Sequence, residues 1–284
     1  DQQGRFFGIL DGGRGLVEAL LATFAIALFA YILSQDAGST KLALQQVIYL
    51  YVGVLLFVSP LVYWLLDDLE ESAVVSEEST KSVFIDDLKA VLSRREIWLC
   101  AICIVCGYQL FYATYSFSAY LQQNFSLTAV MVGYITVAKL WMRPIGGIAA
   151  GFIGDWANPE KVLSILLVLA SLSLALMAFV PASAAPLLMI TVVLLIGLLT
   201  YGVRGLYWAT LGGCNVPNKI KGLAIGIISM IGYFPEVYLP LISAPLIENY
   251  PNGLGYKIYY VILSICGILG AYAAYLLSKP HAND

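Results

Sequence analysis

Eight stretches of the chain stay apolar for long enough to cross a bilayer, which takes about 20 residues. They lie near 7–33, 45–66, 98–122, 128–153, 162–181, 187–211, 220–246 and 256–277. In hydrocarbon a backbone N–H or C=O finds a partner only within its own segment, so each stretch is predicted to be a helix. The expected fold class is all-α, a polytopic membrane protein with eight transmembrane helices. Composition agrees, since 60% of the 284 residues are hydrophobic and 12% are charged, against about 25% charged in an ordinary soluble domain. The formal net charge of −3 says little about partners, because the acidic residues gather between Asp67 and Asp87. Nothing in the charge pattern points to nucleic acid, and no signal peptide is expected at the start of the chain.

With the first residues on the cytoplasmic side, nine Lys and Arg, from Arg5 through Lys161 and Lys219 to Lys279, fall inside, and only Lys41 and Lys257 fall outside. The positive-inside rule then places both termini in the cytoplasm. Between the second and third spans runs a polar segment whose second half, "KSVFIDDLKAVLSRREIW", carries Phe84, Leu88, Val91 and Leu92 at the spacing of one helix face. This predicts a surface helix along the cytoplasmic boundary after an acidic linker.

Four cations, Arg14, Lys139, Arg143 and Arg204, remain within the membrane. Each costs roughly 2.5–3.5 kcal/mol at a helix centre even on the most lenient scale. Such charges face an aqueous cavity or one another. Spans two, five and eight carry no Asp, Glu, Lys or Arg in their membrane parts and are the expected lipid-facing helices. Span one holds Asp11, Arg14 and Glu18, span four Lys139 and Arg143, span six Arg204, and span seven Glu236. Residues four apart share a helix face, so Arg14 can pair with Glu18, and Lys139 lies beside Arg143. Span three adds a stripe, Tyr108, Tyr112, Tyr115 and Gln122, within about 80° of arc. The same stripe is expected of plain aromatic packing. "GGIAAGFIG" in span four and "GLAIG" in span seven offer small-residue surfaces for close helix contact. Pro235, Pro240 and Pro245 each remove a backbone donor in span seven, so an interruption beside Glu236 is a candidate gate.

Catalysis and cofactors find no support. The sole histidine, His281, sits in the terminal tail, and neither HExxH nor GxSxG occurs. Cys100, Cys103 and Cys106 fall on one arc of an apolar helix, as residues facing lipid or a neighbour do, so no metal site is expected.

The run "RPIGGIAAGFIGDWANPEKV" resembles the cytoplasmic loop between helices eight and nine of major facilitator superfamily transporters, where a Gly-rich helix end is followed by Asp and a basic run. The resemblance implies a gating role for Asp155, which would lock the inward side by capping or pairing with a neighbouring helix. The family's Arg-x-Gly-Arg-Arg is replaced here by Trp156 through Lys161, leaving Lys161 as the one cation of the loop. The order of elements resembles helices five to twelve of that fold: residues 1–66 as the last two helices of an amino-terminal bundle, 67–97 as the central cytoplasmic loop, and 98–284 as a carboxy-terminal six-helix bundle. Four helices of the same protein would then precede Asp1. A complete eight-span protein is the alternative.

The resemblance implies a secondary-active transporter working by alternating access, with a small-molecule substrate held between two bundles, in a bacterial inner (plasma) membrane. Candidate substrate-binding residues are Arg14, Tyr108, Tyr112, Tyr115, Lys139, Arg143 and Arg204. Glu236 and Glu18 are the candidates for proton coupling. Four cations against Asp11, Glu18 and Glu236 favour an anionic solute. A Gly-Pro antiporter signature is missing from "GILDGGRGLVEALLATFAIAL", which leans toward symport or uniport. A transporter-like receptor without turnover is the runner-up. If the orientation is right, a Cys placed at Ser39 is labelled by an impermeant reagent from outside and one at Ser79 is not; the opposite pattern would invert the topology.

Overall fold

The computed structural model describes residues 2–35, 39–65, 77–181, 186–214 and 216–279, and every regular element among them is helical. In chain order the helices are α1 (Gln3–Gln35), α2 (Thr40–Leu65), α3 (Glu77–Leu92), α4 (Arg95–Ala113), α5 (Phe117–Phe125), α6 (Ala129–Ala157), α7 (Pro159–Phe179), α8 (Pro186–Leu206), α9 (Thr210–Gly213), α10 (Asn218–Gly232), α11 (Pro235–Asn249) and α12 (Leu254–Leu277). Tight 3₁₀ turns join α4 to α5 at Thr114–Ser116 and α8 to α9 at Tyr207–Ala209. Most of the acidic linker (66–76) and His281 lie outside the described residues.

Among the described residues, seven helical segments are long and apolar enough to cross a membrane: 3–35, 40–65, 95–125, 159–179, 187–212, 219–249 and 254–277. The expected fourth span is present as α6, a 29-residue helix. It is not among the seven, because Lys139 and Arg143 sit in the middle of its apolar run. The expected surface helix is α3, with Val91 buried, Leu88 half-buried, and Phe84 and Leu92 exposed. Asp87 accepts a 3.1 Å hydrogen bond from Lys219 and so ties α3 to α10.

The main core surrounds α4, whose buried Ile104 and Leu110 belong to one cluster with Leu163 and Leu167 of α7 and Tyr260 and Leu263 of α12. Cys100, Cys103 and Cys106 belong to this buried face: the Cys100 Sγ lies 3.3 Å from Thr210 Oγ1, and Cys103 donates to the Gly270 carbonyl at 3.6 Å. Of the three helices expected to face lipid, only α2 is nearly bare, with Ala43 its one buried residue. α7 and α12 are two-faced: each packs one side into the core and turns large apolar residues such as Leu172 and Leu269 outward. Lack of charge allows a lipid-facing side without requiring that the whole helix be peripheral.

α6 is held between α1 and α8 by glycine contacts that permit near-touching backbones. Gly4, Gly8 and Gly12 recur every fourth residue along one face of α1. A methyl group added at Gly8 would lie 2.6 Å from the Gly147 carbonyl oxygen of α6, and one added at Gly205 of α8 would lie 2.7 Å from the Gly147 Cα. The "GGIAAGFIG" surface is thus used on two sides. The "GLAIG" surface is not: Gly222 and Gly226 have no described neighbour within 4 Å of an added Cβ. The small-residue pattern is the same; the difference is whether another helix lies opposite. Of the three prolines in span seven, only Pro235 coincides with a break. Pro240 and Pro245 lie within α11.

Overpacking a tight contact typically costs about 1–3 kcal/mol. Gly8→Val should therefore lower the thermal stability of the purified protein clearly, and Gly226→Val, with the same change in helix propensity, should do so much less. Equal losses would contradict the near-touching packing of α1 on α6.

Candidate functional site

Where α1 and α6 cross, Arg143 joins two carboxylates. Asp11, Gly15 and Glu18 repeat the glycine face of α1 at three- and four-residue steps, so they look onto α6 together. Gly15 leaves room for the Arg143 stem, which any Cβ there would strike. The guanidinium then reaches Asp11 with both edges of its fork, Nη2 to Oδ1 at 2.6 Å and Nε to Oδ2 at 3.2 Å, and Nη1 donates to Glu18. A bidentate, charge-assisted pair is the strong form of this interaction. It is also well shielded: the side chains of Arg143 and Asp11 are 4% and 15% exposed. Glu18, 44% exposed, adds less.

The expected Arg14–Glu18 pair is therefore not made. Helical spacing allowed it, but Arg143 brings a buried guanidinium across the interface and Glu18 turns to that. Arg14 makes no ion pair among the described residues.

Lys139 lies one turn from Arg143 and is equally buried, yet it turns away from the carboxylates. Its ammonium donates to the Thr114 hydroxyl at 2.9 Å and the Thr114 carbonyl at 3.4 Å, with the Tyr115 ring 5.9 Å away. Thr114 opens the 3₁₀ turn that interrupts the third span. Its carbonyl is turned toward the cation by a local break with no obvious signature in the sequence.

Arg204 sits in the last turn of α8, where the helix dipole favours a cation. Its guanidinium carbon lies over Phe111 at 4.2 Å and Tyr108 at 5.6 Å. The nearest carboxylate oxygen is Asp11 Oδ1, 3.9 Å from Nε, and Nε has no hydrogen-bond partner among the described residues. Tyr108 donates its hydroxyl to Glu236, which occupies the first turn of α11 directly after the break at Tyr233 and Phe234. The tyrosine stripe does not act as one surface. Tyr108 is buried beside Arg204, Tyr112 is half-buried, Tyr115 is exposed within the 3₁₀ turn, and Gln122, beyond the turn, lines a separate cavity between α1, α2, α5 and α6.

A cleft of about 270 Å³ opens between α1 and α8, bordered by Phe7, Asp11, Arg14, Arg204, Trp208 and Tyr233 among others. The Trp208 indole N–H donates to the Tyr233 hydroxyl at 3.3 Å and fixes this wall. At the end of α6, Asp155 accepts the backbone N–H groups of Gly4 on Oδ1 at 2.8 Å and of Arg5 on Oδ2 at 2.9 Å, with the Arg5 Nε 3.6 Å from the same Oδ2. It caps the first turn of α1, satisfying donors a helix start leaves open.

A helical membrane protein with buried cations, an acidic counter-set and helices broken beside them is the class that fold and site define. Residues 1–240 match the sequence pattern of the Major Facilitator Superfamily, and the chain belongs to that family of membrane transporters. It is 26% identical over 284 residues to the inner membrane protein YihN of Escherichia coli strain K12, covering 98% of this chain and 66% of that protein. It is 30% identical over 266 residues to the inner membrane protein YqcE of the same organism, covering 88% and 61%. A putative proline/betaine transporter of Staphylococcus haemolyticus is 28% identical over 176 residues, covering 58% and 36%. The chain thus spans somewhat less than two thirds of the curated relatives it matches across most of its own length.

Removing one partner of a buried ion pair costs about 3–5 kcal/mol, because the other charge stays buried alone. Asp11→Asn should lower thermal stability and yield, and the double variant Asp11→Asn/Arg143→Gln should recover much of that loss. A double variant as unstable as the sum of its singles would show that the pair is not the coupling between α1 and α6.

Proposed function

We propose that the chain forms helices five to twelve of a secondary-active carrier that moves a small anionic organic solute across a bacterial inner membrane by alternating access. In this reading α6 is the eighth span, both ends of the chain lie in the cytoplasm, and four further helices of the same protein complete the cavity. The observation that carries the anionic substrate is the uneven pairing of the cations. Arg143 is committed to Asp11 and Glu18, whereas Lys139 meets only neutral oxygens of Thr114, Arg14 has no ion pair among the described residues, and Arg204 approaches Asp11 without a hydrogen bond. Lys139 is buried and Arg204 nearly so, with so little compensation that they favour a ligand bringing negative charge, and Arg14 stands exposed and free to join them.

Glu236 is the first candidate for the coupling proton and Glu18 the second. Glu236 stands at the α10–α11 break, where Pro235 offers no backbone donor and the bonds of Phe234, Glu236 and Val237 tighten to three-residue steps, a junction on which a change in charge can act. Asp155 is the proposed cytoplasmic latch, since its contacts to Gly4 and Arg5 must part when α1 and α6 separate on that side. Tyr112 and Tyr115 stay candidates for the far wall of the cavity beside Lys139. The relatedness to a protein named as a putative proline/betaine transporter supports small-solute transport over the receptor reading, in which a ligand binds without turnover.

Reconstituted in proteoliposomes, the intact protein should accumulate a small organic anion, with a neutral amide at position 139 weakening uptake by about ten- to a hundredfold, the loss of one charge-assisted hydrogen bond. Glu236→Gln should abolish accumulation driven by a pH gradient while leaving exchange intact, because the amide imitates the protonated acid and cannot cycle. Ligand binding without any flux would favour the receptor. Unchanged accumulation in Glu236→Gln would move the coupling role to Glu18.

A further inference from the structure

We propose that the substrate's charged group sits in the cleft between α1 and α8, clasped by Arg14 and Arg204, and that this site accepts a single negative charge. The inference rests on the anion-carrier reading and makes it narrower. Arg204 is nine-tenths buried, borders the cleft, and donates no hydrogen bond to a described residue. Arg14 borders the same cleft from α1. Two arginines bordering one cleft from different helices suit an oxyanion, and the planar fork of Arg is shaped for it.

Charge counting sets the valence. Of the charged residues that border the cleft, Arg14 and Arg204 stand against Asp11, a surplus of one positive charge. Including the Arg143–Glu18 pair behind it, with Lys139 and Glu236, leaves that surplus unchanged. A monoanion neutralises the cluster; a dianion would leave an excess negative charge beside Asp11 in a poorly solvated wall. The cleft's volume of about 270 Å³, just under that of ordinary ligand pockets, suits the charged end of a small solute. Phe7, Trp208 and Tyr233 give the rest of the molecule an apolar or ring-stacking surface. The site therefore fits a small organic monoanion with one carboxylate, or another singly charged oxyanion, on an apolar or ring-shaped body.

The test measures binding to the intact purified protein with butyrate, succinate and glycine betaine as probes, at a pH where succinate is a dianion. Butyrate should bind at least about tenfold better than succinate, and Arg14→Gln and Arg204→Gln should each weaken it by about tenfold or more. Removing one carboxylate raises the surplus by one, so Asp11→Asn should shift the succinate-to-butyrate ratio toward succinate. Glu18→Gln, at a half-exposed position, should do the same should Asp11→Asn fail to fold. Anion binding that depends on Lys139 but not on Arg14 or Arg204 would overturn this placement and keep the anion carrier. Succinate bound as well as butyrate would overturn the valence. Glycine betaine bound in preference to both anions would overturn the placement and the anionic reading together.

Discussion

The ion pair between Arg143 and Asp11 fixes how the charged helices of this protein sit. A guanidinium in the middle of an apolar helix must find anions close by, and the two carboxylates that answer it lie two turns apart on one face of α1. To bring them within reach, α1 and α6 must almost touch, and the run Gly4, Gly8, Gly12 and Gly15 against Gly147 and Gly151 is what allows it. Close packing and charge pairing support each other: without the glycines the fork could not span the gap, and without the fork the glycine face would hold only by van der Waals contact. Gly205 of α8 meets the opposite side of Gly147, so Arg204 is carried into the same cluster.

The cations divide the labour accordingly. Arg143 is locked, and its charge is spent on structure. Lys139, a single turn away, rests on the hydroxyl and carbonyl of Thr114, where a broken helix offers oxygen without a full negative charge. Arg204 is cushioned by the faces of Phe111 and Tyr108, a contact that favours a cation while leaving its donors available. The breaks at Thr114–Ser116, Tyr207–Ala209 and Tyr233–Phe234 each lie beside one of these polar residues. Irregular backbone within a membrane protein survives where it borders protein or a cavity, and here it does so at the places where the charged residues cluster.

Much of this is legible in residue order alone. Long apolar runs become helices because hydrocarbon leaves no other choice, and the charged runs mark the helices that meet in the interior. The small-residue surface of α6 is also legible, as is the break before Glu236 at Pro235. Three things are not. Spacing pairs Glu18 with its own-helix neighbour Arg14, because intrahelical distance is visible in a sequence and a partner on another helix is not. Asp11 counts as a charge but receives no role, although its seven-residue spacing from Glu18, two turns on one face, is the available clue. The contribution of Thr114 depends on a turn of three residues, which also interrupts the stripe between Tyr112 and Gln122. Gly222 and Gly226 show the converse limit, since a pattern of small residues states what a surface permits and not whether another helix takes it up.

In the proposed cycle α1 and α6 act as two members of a rocker. The Arg143 pair lies within their crossing, and Asp155 holds their cytoplasmic ends together through Gly4 and Arg5. The most direct test is a distance measurement by double electron–electron resonance between spin labels at Gln2, beside the start of α1, and Trp156, exposed at the end of α6. Alternating access between these helices predicts a short distance and a longer one in the intact reconstituted protein, with populations that shift when the transported anion is added. A single short distance, unmoved by any anion the protein binds, would contradict it.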